Sequence, residues 1–140
     1  MNDNLIFSRN WEDDSLLELK VEAQNEYVTI WQSCYIANGF LKEQATNISN
    51  FVKMAGQSYY IEFGELSGNY TPAFSMELKK VDDLAHIRAE LNLENEDDGN
   101  RKHRCQLYIK TEQGMLLNFC QGLRAMSEGK CDKTELNKLS

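Results

Sequence analysis

The chain has 140 residues, and Asp and Glu outnumber Lys and Arg by 22 to 15, for a net charge of −7. That length holds one domain, and the acidic balance argues against nucleic acid or an anionic membrane as a broad partner, because both require a basic footprint. The 41% hydrophobic and 26% charged residues suit an ordinary globule that folds without disulfide or metal.

The opening residues, Met1-Asn-Asp-Asn-Leu-Ile-Phe-Ser-Arg9, show no basic and apolar leader pattern. No apolar run approaches the roughly 18 residues of a membrane span. The expected location is therefore cytoplasmic. Cys34, Cys105, Cys120 and Cys131 form no C-x-x-C pair and are expected to be reduced thiols.

Residues 16–23 alternate with period two: Leu17, Leu19, Val21 and Ala23 share one face, Glu18, Lys20 and Glu22 the other. This predicts a half-buried strand. Gln24 and Asn25 make a turn into a second, antiparallel strand over Glu26–Ile36. From Phe40 to Ala55 the apolar spacing becomes helical, with Asn38 as N-cap and Gly56 as terminator. Further strands are expected at 59–66, 73–81, 85–94 and 101–112, with a turn at 67–70 and an acidic loop at 94–100. Thr111 can cap a final helix carrying Leu116, Phe119, Cys120, Leu123 and Met126. The expected fold class is α+β: a strongly curled, mainly antiparallel sheet of about six or seven strands, or an open sandwich. Its two helices span about 40–55 and 114–126. Residues 1–127 form the single domain, and 128–140 a flexible tail.

Chemical signatures are sparse. Phosphate-cradle, dinucleotide, serine-hydrolase and zinc-protease motifs are missing. His86 and His103 with scattered cysteines make a poor zinc set. Cys105 and His103 share a strand face, but a core-facing thiol beside a histidine at a strand's start accounts for them. Tyr59, Tyr60, Glu62 and Glu65 read as an outward strand face rather than an acid–base pocket. No catalytic residue, metal ligand or cofactor is expected.

Tyr27, Trp31 and Tyr35 lie opposite Val28, Ile30, Cys34 and Ile36 on the second strand. The strand is expected to be buried on both faces; an exposed aromatic stripe, the alternative, would be an interface candidate. Two acidic clusters, Glu12-Asp13-Asp14 and Glu94, Glu96, Asp97 and Asp98, read as solubilising loops or as capture sites for a basic partner. If the chain binds a protein, Glu12, Asp13, Asp14, Trp31, Tyr35, Glu94, Glu96, Asp97 and Asp98 are the candidate contacts.

The order of elements adds a resemblance. A hairpin (16–36) leads into a helix (40–55), then to His-Ile-Arg-Ala-Glu-Leu at 86–91 and a strand running straight into a helix at 104–123. Over residues 14–126 this resembles the wall-associated-protein (WapI) type of bacterial immunity protein. The resemblance implies a non-enzymatic, stoichiometric inhibitor in the bacterial cytoplasm whose partner is a toxin protein domain, nuclease-like or otherwise basic. It carries no contact residue across. The competing expectations are a ligand-binding or homodimeric structural module, monomer or dimer, and a small enzyme of unrecognised type.

Overall fold

The computed structural model describes residues 3–54, 56–65, 72–97 and 101–138. Eight strands divide between two four-stranded antiparallel sheets, joined by two helices. Sheet A has the order β3-β2-β1-β8, built from β1 (Asn4–Glu12), β2 (Leu16–Gln24), β3 (Thr29–Ala37) and β8 (Lys133–Glu135). Sheet B has the order β4-β5-β6-β7, built from β4 (Ser58–Glu65), β5 (Pro72–Lys80), β6 (His86–Asp97) and β7 (Arg101–Glu112). Helix α1 (Phe40–Lys53) links the sheets, and α2 (Gln113–Ser127) leads from β7 back to β8. Ala55, the 67–70 turn, Asp98 and the last two residues lie outside the described residues.

The alternation in β2 does what its pattern predicts. Leu17, Leu19, Val21 and Ala23 are buried, joined by Leu5 and Phe7 of β1 and Cys34 and Ile36 of β3. Sheet B supplies Ile61, Phe63, Phe74, Met76, Leu78, Ile87, Ala89, Leu91, Leu93, Leu107 and Ile109 to the same core. Phe7 ties the layers together. Its ring meets Phe63, Phe74 and Phe119 edge-on at 6.0, 5.8 and 5.2 Å, and each such aromatic pair adds about 0.5–1.5 kcal/mol beyond area burial. Gly64 lets the layers close: at φ +78° it occupies the left-handed region, and an added Cβ would lie 2.8 Å from Cys34 Sγ and 3.1 Å from Ala73 Cβ.

Three local expectations change. Gly39, rather than Asn38, is the N-cap of α1, its carbonyl accepting the Glu43 N–H at 3.1 Å, while the Asn38 amide donates to the Asp13 carbonyl at 2.8 Å. Glu112 is the N-cap of α2, since Thr111 still pairs with Ile87 in the β6–β7 ladder; its hydroxyl donates to Asn137 Oδ1 at 2.8 Å. Residues 94–97 of the expected acidic loop are strand: Glu94, Glu96 and Asp97 stand in register opposite Arg104, Lys102 and Arg101, and Glu94 pairs with Arg104 at 3.2 Å.

Two elements were not expected at all. Strand β1 inserts between β2 and β8. The segment expected as a flexible tail instead packs: β8 pairs with β1, Leu136 is buried, and the Leu136 N–H donates to the Leu5 carbonyl at 2.8 Å. Asn137 then fastens the edge of β7, its amide donating to the carbonyls of Asp3 and Lys110, both at 2.8 Å. Asp3 accepts from the Lys110 N–H at 2.9 Å, and Asn25 donates to the Tyr108 carbonyl at 3.0 Å.

Candidate interaction face

The outer face of sheet A arises from strand alternation broken once. Leu5 and Phe7 of β1 point inward. A register shift between Arg9 and Trp11 then inserts an extra residue, so that Arg9 pairs with Leu19 but Trp11 with Glu18. Such a bulge re-aims the side chains beyond it. It delivers Trp11 to the outer face, where its ring stands edge-on to Tyr35 at 6.3 Å.

The β-ladders arrange this face in rows. Trp11, Glu18 and Tyr35 form one row; Ser8, Lys20 and Ser33 the next; Ile6, Glu22 and Trp31 the third. Lys20 Nζ lies 5.1 Å over the Trp31 ring, a cation–π contact that orients the indole. Trp11, Trp31 and Tyr35 are 49%, 47% and 57% exposed. The burial of β3 on both faces is therefore overturned: sheet B and the helices pack only on its Cys34 side, leaving the aromatic stripe in solvent. Both tryptophans of the chain lie on this one face.

The acidic candidates distribute unevenly around it. Glu12 is ion-paired with Arg9 at 3.2 Å, and Arg9 also binds Asp132 and the Met126 carbonyl. Asp13 builds the β1–β2 turn: its Oδ1 accepts from the Leu16 and Ser15 N–H groups at 2.8 and 2.9 Å. Those bonds hold its carboxyl below the ordinary carboxylate value. Asp14 is exposed in that turn. Glu94 is buried and paired with Arg104 at 3.2 Å, so it offers no surface to a partner. Glu96 and Asp97 belong to β6, their side chains outside the described set, and Asp98 lies outside it altogether. The Asn95 amide donates to the Trp31 carbonyl at 2.9 Å, which brings this end of β6 beside the aromatic face. Glu18 and Glu22, the carboxylates that share rows with the aromatics, were read from sequence only as a wet strand face. Their cross-strand register with Tyr35 and Trp31 was the missing signal.

The groups considered for catalysis lie elsewhere. Cys34 is buried, which pushes its thiol up to about 11, and desolvation also raises the thiol of half-buried Cys105. A thiol raised in this way is a poor nucleophile at neutral pH. In the β6–β7 ladder, Cys105 stands opposite Leu93 and His103 opposite Asn95. Tyr59 donates to Gln44 Oε1 and exposed Tyr60 to Glu62 Oε2, at 2.8 and 2.7 Å; the Glu65 side chain lies outside the described set. Among the described residues no group of three or more His, Cys, Asp and Glu side chains could hold a metal ion, and no helix is long and apolar enough to cross a membrane.

No family model and no curated protein sequence matches this chain.

Proposed function

We propose that this protein is a non-enzymatic, stoichiometric inhibitor that docks the outer face of sheet A onto a basic protein domain and occludes it. One observation carries this reading: Trp11, Trp31 and Tyr35 stand half exposed in cross-strand rows with Glu18 and Glu22. Tryptophan and tyrosine dominate the energetics of protein interfaces. Carboxylates among them accelerate encounter with a basic partner and disfavour acidic ones. With the resemblance to WapI-type immunity proteins, the partner on this reading is a bacterial toxin domain, met in the cytoplasm.

Co-expression with a toxin domain encoded in the neighbouring reading frame tests it. Growth is rescued, a one-to-one complex forms, and tryptophan emission shifts to the blue on mixing. The pair of changes Trp31→Ala and Tyr35→Ala abolishes rescue while leaving the chain folded. Absence of both complex and rescue sinks the reading. The same exposed stripe favours a second one, a homodimer joined through Trp31, which light scattering excludes if the chain stays monomeric at high concentration.

A further inference from the structure

A groove of about 580 Å³ opens between the β2–β3 turn and the β7 side of sheet B. This volume is within the range of small-molecule sites. Asn25 builds one wall. Its Oδ1 accepts from the N–H groups of Tyr27 and Val28 at 2.8 and 3.1 Å, while its amide reaches across to the Tyr108 carbonyl at 3.0 Å. One side chain thus closes the turn and fastens it to β7, with Tyr27 and Tyr108 both lining the groove.

Two cations, Arg88 and Lys110, line this groove. Lys79, Arg88 and Lys110 stand directly opposite one another across β5, β6 and β7. Like charges in such positions destabilise a sheet. Lys79 is relieved by Glu77 at 3.4 Å. Arg88 and Lys110 have no ion-pair partner among the described residues. Two acids line the groove with them: Asp3, which accepts the Lys110 backbone N–H at 2.9 Å, and exposed Glu26, which lies beside the Tyr27 hydroxyl; Glu90, on β6, accepts the Tyr108 hydroxyl and the Gln106 amide. The Arg88 guanidinium is held 5.7 Å over the Tyr108 ring. Its planar fork suits a bidentate oxyanion.

We propose that this groove binds a small planar aromatic ligand carrying a phosphate or carboxylate. The anion sits between Arg88 and Lys110, and the ring lies against Tyr27 and Tyr108. The site uses Tyr27 of the aromatic stripe but none of Trp11, Trp31, Tyr35, Glu18 or Glu22, and stands independently of the inhibitor reading.

Titration of the isotope-labelled chain followed by NMR tests it, with adenosine monophosphate as the phosphate probe and benzoate as the carboxylate probe. Saturable shifts at Tyr27, Arg88, Tyr108 and Lys110 with either probe support the site and identify the anion it prefers. Arg88→Gln weakens that binding about tenfold or more, and Tyr108→Leu weakens it as well. Inorganic phosphate, which lacks the ring, gives weaker shifts. Tyr27→Ala changes an 85% exposed turn residue, so its loss of affinity reads binding and not folding. No saturable shift with either probe at millimolar concentration overturns the proposal. So does binding that persists unchanged in Arg88→Gln, Tyr108→Leu and Tyr27→Ala.

Discussion

Asn95 and Trp31 join the two sheets from outside the core: the Asn95 amide, on β6, donates to the Trp31 carbonyl, on β3, at 2.9 Å. Strand β3 is an edge of sheet A, so this carbonyl has no neighbouring strand to bond. The contact therefore steadies the backbone under the indole. Replacing Asn95→Ala is expected to cost about 0.5–1.5 kcal/mol, the net value of one such bond. Urea unfolding followed by tryptophan emission measures it. Because both indoles lie on sheet A, that emission also reports any loosening of this face.

Gly122 of α2 is where β8 packs most tightly. An added Cβ would fall on Thr134 Oγ1, with Thr134 Cβ at 2.7 Å. Gly122→Ala is expected to destabilise by about 1–3 kcal/mol, the usual cost of overpacking, despite the better helix propensity of alanine. Thr134→Ala removes the hydroxyl but leaves the Cβ in the way, so the double variant recovers only part of the loss. Thermal melts of the four proteins in this cycle decide it.

Ala85, between β5 and β6, has φ 82° although it is not glycine. The left-handed conformation costs an L-residue roughly 1–2 kcal/mol. Ala85→Gly relieves that strain but loosens the unfolded chain, and the expected net gain is about 0.5–1 kcal/mol. A higher midpoint in denaturant at unchanged slope confirms it; a lower midpoint contradicts it.

The same turn makes stability depend on pH. His86 Nδ1 lies 2.7 Å from Asp82 Oδ2. The hydrogen bond to Asp82 and its charge raise the imidazole above the ordinary 6.5, while the bond to His86 and the Leu84 N–H hold the Asp82 carboxyl below 3.8. The histidine contribution is full below pH 6.5 and fades as pH rises through the higher folded value. The aspartate contribution is full above pH 3.8 and fades as pH falls through the lower one. The advantage of the native chain over His86→Gln should thus be present near pH 5 and shrink by about pH 8. Melting temperatures of both proteins across that range show it; a constant difference argues that the pair is not coupled.

Much of this fold was legible because β2, α1 and the strands of sheet B carry long apolar periodicities. Strand β1 was hidden by its own bulge: Leu5 and Phe7 establish an inward parity that Arg9 interrupts and Trp11 reverses. The segment after Ser127 was hidden for a different reason. Among its described residues Leu136 is the one fully buried apolar side chain, and the rest of its attachment runs through Asn137 and backbone bonds that hydrophobic pattern does not reveal. Strand β6 likewise runs on through Glu94, paired with Arg104, to Asp97 without any apolar signal. At the candidate face, the stripe on β3 was visible but its exposure was not, since alternation does not say whether a second layer lies above. Trp11 could join Tyr35 only once cross-strand register was known.

The side chains of Asp3, Asn25 and Asn137 occupy main-chain positions along Tyr108 and Lys110. An extended peptide, or the margin of another molecule's sheet, therefore finds three main-chain groups of this stretch already engaged. Sheet B is blocked there against lateral growth, so protection against fibrillar stacking at this border rests on one carboxylate and two amides and not on proline.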